Sequence, residues 1–304
     1  MGRPLTGIHV FEKRGPIEWE SIIAAIQLLS AISWKRYHGN IELYTNSAWL
    51  EVLKRYKIDQ VYSTIHEIPE QNELIDRNLF WSWPKLQVAR KMTSAHVMLD
   101  TDLWITAGLE IDPAQDFMAF HNETWSAADP ATAYPDFDIM LKPDLVGRWD
   151  KSVRPVNCAL LWFHNMELLN RWLDLAEEIA VSPESRRLSD ESRVVHAVFI
   201  EQRLLAMVAR EMGLSNSTFL GLTYLTHITD TGNGECWFPA PADWPNSRRL
   251  QIEAFKHIWG CKRLWTYDAV LRNHQFRVIA SELHRFSGEY EIEPALAEVL
   301  SAIN

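Results

Sequence analysis

The feature that most constrains this chain is an alternation of element types over its first 65 residues. Gly7-Ile8-His9-Val10-Phe11 reads as a strand, closed by the polar loop Glu12-Lys13-Arg14-Gly15-Pro16. Trp19 to Trp34 predicts a helix, because Ile22, Ile23, Ile26, Leu29 and Ile32 recur at a helical period. Gln27 and Ser30 interrupt that apolar run, and Gly39-Asn40 ends it. Ile41 to Thr45 reads as a second strand, with Asn46 or Ser47 as the cap of a helix from Ala48 to Tyr56. A third strand is expected over Gln60 to Ile65. Strands separated by helices imply a largely parallel sheet with crossover helices, and ligands gather at the carboxyl ends of such strands.

The next part of the chain carries the chemistry. Ser82 is expected to cap a helix running to about Met92, with Pro84 in its first turn. It leads into Ala95-His96-Val97-Met98-Leu99-Asp100-Thr101-Asp102-Leu103-Trp104-Ile105, an apolar run that climbs into two acids and turns apolar again. On a strand, residues two apart share a face, so Asp100 and Asp102 are expected to project together. Two carboxylates so placed repel, and a hard divalent cation completed by phosphate oxygens would relieve the repulsion. The plain alternative is a solvated acidic junction between strand and loop.

Further along, Phe117 to Phe120 predicts a short strand and Asn122 to Asp150 an irregular flap. Pro155 to Phe163 reads as a buried strand carrying Asn157 near its start, followed by a helix from Met166 to Ala180. Val194 to Met212 predicts one long helix stopped by Gly213, and Phe219 to Leu225 another strand. Tyr267 to Asn304 reads as two helices parted at Ser287-Gly288. Neither a repeat nor a linker interrupts the chain, so one domain over residues 1–265 with a helical extension over 266–304 is the simplest division.

Bulk properties narrow the function. A content of 47% apolar and 23% charged residues excludes a disordered chain. The formal charge of -10 argues against a general nucleic-acid binder. Cys158, Cys236 and Cys261 are scattered, which fits neither a thiolate metal cluster nor a disulfide framework and points to a reducing compartment. The apolar run Ile22 to Ile32 is too short to span a bilayer, so no transmembrane segment and a cytoplasmic location are expected.

With these elements in order, four pieces of sequence carry a resemblance. They are Pro84-Lys85-Leu86, Met98-Leu99-Asp100-Thr101-Asp102, the pair Asn157-Cys158-Ala159-Leu160 and Glu201-Gln202-Arg203-Leu204-Leu205, and His257-x-x-Gly260. In this order they resemble retaining nucleotide-sugar glycosyltransferases of the GT-A fold, especially the glycogenin and galactosyltransferase-like group and related bacterial polysaccharide enzymes. The chain departs from that pattern at Ala159, where the family has Gly, and at Leu264, where it has Pro.

The resemblance implies an α/β fold with a Rossmann-like domain and a mostly parallel central sheet flanked by helices. It also implies transfer of a sugar from a nucleotide-diphosphate donor, expected to be a UDP-sugar, to an unidentified acceptor. By it, Asp100, Asp102 and His257 hold Mn²⁺ or Mg²⁺, with imidazole favouring Mn²⁺. Asp100 also meets the ribose, and Lys85, Asn157, Gly260, Lys262 and Arg263 bind the donor and its diphosphate. Glu201 and Gln202 then stand near the anomeric carbon, where same-face attack or a covalent glycosyl-Glu201 species are both open. Glu201-Gln202 also breaks an apolar helix, and buried polar groups need partners, so an internal hydrogen-bond network is the structural alternative. Two other functions compete: a nucleotide-sugar or glycan-binding protein without catalysis, and an Asp-x-Asp phosphatase. The phosphatase motif belongs at a first strand, whereas here it follows three.

Overall fold

Helix α1 (Glu20–His38) is apolar around most of its circumference, and the structure shows why. It packs against α2 (Ser47–Arg55), strand β5 (Leu103–Ile105) and two C-terminal helices, α7 (Ala269–His284) and α8 (Glu293–Ser301). A helix covered on several sides needs no polar stripe. It runs four residues beyond the expected Trp34, and Gly39 at φ 95° lets the backbone N–H return to the Lys35 carbonyl at 3.1 Å. The computed structural model describes residues 5–70, 72–122, 137–187, 193–214, 217–219, 255–257, 265, 269–290 and 292–302.

Strand β1 (Gly7–Phe11) pairs in parallel with β2 (Ile41–Thr45), and β2 with β3 (Thr64–Glu67). The expected third strand is shifted. Ile58–Val61 forms a 3-10 turn entered through Lys57 at φ 58°, and the chain becomes extended only at Thr64. Asn46, one of the two expected caps, accepts from the Trp49 N–H at 3.2 Å and starts α2.

β4 (His96–Leu99) belongs with these strands in a mostly parallel mixed sheet of order β3-β2-β1-β4-β7-β6-β8. β6 (Phe117–Ala119) runs antiparallel to β7 (Leu160–Phe163) and parallel to β8 (Ser217–Thr218). A second, two-stranded sheet pairs β5 with β9 (Phe255–His257). By contacts the chain forms two compact units. One comprises Met1–Ile68, Leu99–Glu110 and Thr226–Asn304, and the other Pro69–Met98 and Ile111–Leu225.

In the second unit, α4 (Met166–Val181), capped by Asn165 accepting from Leu168 N–H at 3.0 Å, packs on α3 (Trp83–Lys91) and α6 (Leu204–Glu211). Phe163 stacks between Phe117 and Trp172, with ring centroids 6.2 and 5.6 Å away, and fixes this core. Ser82 does not cap α3 as expected: it already has helical dihedrals, and its hydroxyl makes no cap hydrogen bond. The expected strand from Pro155 is true strand only from Leu160, with Val156 forming a lone bridge to Asn122. Of the expected flap, 123–136 lie outside the described residues, and Phe137–Met140 is a 3-10 turn.

The helix expected over Val194 to Met212 is three pieces. α5 (Arg193–Val198) gives way to a π-helical turn, Phe199–Arg203, before α6 begins. The cause is tertiary. The carbonyls of three successive residues are claimed from outside: Ile200 by Trp172 Nε1–H at 2.7 Å, Glu201 by the Cys158 thiol at 3.5 Å, and Gln202 by Val156 N–H at 3.4 Å. An extra residue in the turn frees those oxygens, and such insertions recur at functional sites.

Candidate functional site

The predicted site residues fall into two clusters, one in each compact unit. The first is the acidic turn. The sequence places Asp100 and Asp102 at the end of a buried strand, with both acids on one face by strand alternation. The structure corrects this: β4 ends at Leu99, and β5, starting at Leu103, lies in a different sheet. Between them Leu103 N–H donates to the Asp100 carbonyl at 3.1 Å and closes a tight turn. The acids therefore sit on a turn, partly exposed, between two fully buried strands.

β9 runs antiparallel to β5 with His257 opposite Leu103. The backbone of His257 is thus brought beside the residue after Asp102, although some 155 positions separate them in the chain. Gly260, Lys262 and Arg263 lie outside the described residues. Among the described residues, no three His, Cys, Asp or Glu side chains stand close enough to hold a metal by themselves. The donor chemistry still suits a hard cation. Two carboxylates on one turn are oxygen donors of the kind a hard cation takes, with room in such a shell for oxygens from elsewhere.

Beneath the turn lies a set of buried polar groups that sequence reasoning did not assign. Trp49 Nε1–H donates to Gln27 Oε1 at 2.8 Å, and Gln27 Nε2–H to the Tyr62 hydroxyl at 2.7 Å. Tyr62 is 2.9 Å from His9 Nδ1, and His9 Nε2 is 3.0 Å from the Ser30 hydroxyl. Ser30 donates to the Leu103 carbonyl, and Ser33 accepts from Ile105 N–H at 3.1 Å. Burial pushes the His9 imidazole down to about 3, against the opposing pull of the nearby Asp102 charge. One signal was available: Gln27, Ser30 and Ser33 recur at intervals of three on an otherwise apolar helix.

The loop after β1 is pinned as well. Asn46 accepts from Lys13 N–H at 3.3 Å and donates to the Lys13 carbonyl at 2.8 Å, while Arg14 pairs with Glu12 at 3.0 Å. Partial burial lowers the proton affinity of the Arg14 guanidinium. The sequence puts this loop, like the acids, at a strand end where ligands gather, without giving either residue a role.

The second cluster gathers Lys85, Asn157, Glu201 and Gln202. Lys85 Nζ is 2.9 Å from Glu201 Oε1 and donates to the Cys158 carbonyl at 2.5 Å, with side chains only 13% and 6% exposed. Cys158 Sγ in turn reaches the Glu201 carbonyl, so the Val156–Cys158 segment and the π turn are laced together. Asn157 is buried, and its side-chain oxygen accepts from Ala159 N–H at 3.0 Å, an Asx turn that leads the chain into β7. Lys85, expected to reach a diphosphate, is therefore engaged with Glu201. An ammonium so held can orient the carboxylate and neutralise its charge.

No family model matches the chain, and no curated protein sequence does. Among solved structures it is similar to a crystal structure of the galactosyltransferase LgtC in complex with donor and acceptor sugar analogues. That similarity has 11% identity and a TM-score of 0.41, over 86% of this chain and 94% of that one.

Proposed function

We propose that this chain is a metal-dependent glycosyltransferase that moves a sugar from a UDP-sugar to an acceptor with retention of anomeric configuration. The observation that carries the reading is the register of β5 against β9, which brings His257 opposite Leu103, next to Asp102. That pairing joins two motifs far apart in the sequence, as a shared metal and diphosphate would require. Asp102 and Asp100 would hold Mn²⁺ or Mg²⁺, with His257 as the third protein ligand. The cation would offset the charge that builds on the departing diphosphate. Asp100 would also meet the ribose, and Asn157, Gly260, Lys262 and Arg263 would bind the donor.

Glu201 and Gln202 would serve the sugar. In this reading Lys85 orients Glu201 through the ion pair at 2.9 Å. A carboxylate held on a π turn keeps a defined direction toward a bound hydroxyl or an anomeric carbon, which either route to retention requires. The same ion pair also favours a second reading, in which the chain binds a nucleotide sugar without transferring it, because Glu201 is already matched by a cation.

The test is a thermal-shift panel of nucleoside diphosphates and their sugars with and without Mn²⁺, followed by donor hydrolysis. Stabilisation by UDP only when Mn²⁺ is present, lost in Asp102→Ala, supports the metal site. Slow Mn²⁺-dependent hydrolysis of a UDP-sugar, lost in Glu201→Gln, supports transfer over mere binding. Turnover unchanged in Asp102→Ala would sink the proposal.

A further inference from the structure

We infer that His9 and Ser30 are positioning residues for the Asp100–Asp102 turn, the last links of a one-way hydrogen-bond chain that orients it. The inference rests on the reading of Asp102 as a metal ligand. All the groups involved belong to one compact unit.

The direction of the chain is forced by its two ends. An indole N–H can only donate and a backbone carbonyl can only accept. Between Trp49 and the Leu103 carbonyl stand Gln27, Tyr62, His9 and Ser30, joined by five hydrogen bonds. Because Trp49 donates, Gln27 presents its oxygen to the indole and its amide N–H to Tyr62. Tyr62 must then donate to His9 Nδ1, which leaves the proton on Nε2, directed at Ser30. Ser30 has a single proton, and it goes to the Leu103 carbonyl. Reversing any member would leave neighbours donor to donor or acceptor to acceptor.

The chain ends on the acidic turn itself. Ser30 Oγ touches the carbonyl of Leu103 and lies 3.5 Å from that of Asp100, the two residues that close the turn by Leu103 N–H to Asp100 carbonyl at 3.1 Å. Ser33 takes Ile105 N–H two residues on and donates to the Ser30 carbonyl at 2.8 Å, so α1 holds β5 at its first and last residues. Trp49, Gln27, His9, Ser30 and Ser33 are all 0% exposed. Such a path contributes little net stability compared with apolar side chains of the same shape. What it does supply is a single orientation of the turn's backbone, and hence of the two carboxylates.

The test is isothermal titration of Mn²⁺ into the full chain with UDP present. His9→Phe and Ser30→Ala are expected to weaken apparent Mn²⁺ affinity by about 10–100-fold, the usual effect of removing a group that orients a metal ligand. His9→Gln offers an acceptor and a donor at a similar spacing and is expected to recover affinity to within about threefold of the parent protein. Should His9→Phe fail to fold, as read by circular dichroism, Tyr62→Phe breaks the same chain while keeping the ring, and the same loss is expected. If the parent protein shows Mn²⁺-dependent UDP binding that Asp102→Ala abolishes, while Ser30→Ala and the folded His9 or Tyr62 variant bind like the parent, only the positioning inference falls. Equal loss in His9→Phe and His9→Gln overturns it too, because packing would then explain the effect. UDP binding with no Mn²⁺ dependence in the parent overturns both this inference and the metal site it serves.

Discussion

Replacing Lys85 with methionine keeps most of the side chain's length and removes its charge, leaving the Glu201 carboxylate, 6% exposed, without its ammonium. At 2.9 Å the gross attraction between the two charges is about 6 kcal/mol if the local dielectric is near 20. Desolvation of the two ions offsets most of that, so the intact pair adds little to stability. Breaking it is a different matter, and about 3–5 kcal/mol should be lost on removing one partner of a buried pair. The Cys158 carbonyl, which accepts from Lys85 at 2.5 Å, loses a donor in the same substitution, at a cost of about 1–3 kcal/mol.

Only the first of these losses is recoverable. In Lys85→Met/Glu201→Leu the carboxylate is gone while the Cys158 carbonyl still lacks its donor. The double variant should therefore regain about 2 kcal/mol or more over Lys85→Met alone, although it carries more substitutions. Urea unfolding of the parent, both single variants and the double variant at pH 7 measures this, given equal m-values. A double variant no more stable than Lys85→Met would refute the reasoning. It would mean that Glu201 is not compensated chiefly by Lys85.

Three further predictions follow from the first unit. His9 has its proton affinity lowered from 6.5 to about 3, so the unfolded chain takes up a proton that the folded chain excludes. Stability should be intact above about pH 6.5 and fall by up to about 1.4 kcal/mol per pH unit on going down toward pH 3. His9→Gln should remove that share of the slope in denaturation midpoints taken between pH 7 and 4. At Gly7, a Cβ would stand 2.6 Å from Trp34 Nε1, in an indole that is 0% exposed and donates to the Asn40 carbonyl at 3.0 Å. Gly7→Ala should cost about 1–3 kcal/mol by overpacking, read as a lower melting temperature in calorimetry. Asn46 caps α2 and makes both backbone hydrogen bonds to Lys13, so Asn46→Ala should lose about 1–2 kcal/mol and speed amide exchange at Lys13. Unchanged exchange there would mean the loop is held by other contacts.

What could be read from the sequence divides by the range of the interactions that decide it. β2 and the Asn46 cap were legible because apolar alternation and an Asx side chain before a helix act within a few residues. The break in the helix at Glu201 was not. That turn exists because Trp172, Cys158 and Val156 claim its carbonyls, and no local preference encodes those partners. At the acids the sequence carried the end of the strand to Asp102, past its true end at Leu99, for the same reason. Nothing between Val97 and Ile105 announces a change of sheet, and the pairing of β5 with Phe255–His257 decides it.

Gln27 and Ser30 show the intermediate case. Their polarity stood out against the isoleucines around them, yet their meaning depended on Trp49, Tyr62, His9 and the Leu103 carbonyl, which lie 21 to 73 positions away from them. Buried polar residues on an apolar helix are thus readable as a debt of hydrogen bonds, and only the fold identifies the partners. Here the partners are consistent with one another in a strict sense. A donor-only indole at one end and an acceptor-only carbonyl at the other leave every intervening proton a single place to be. That constraint ties the acids at 100 and 102 to a histidine at position 9, in a strand that gives no local sign of belonging to their site.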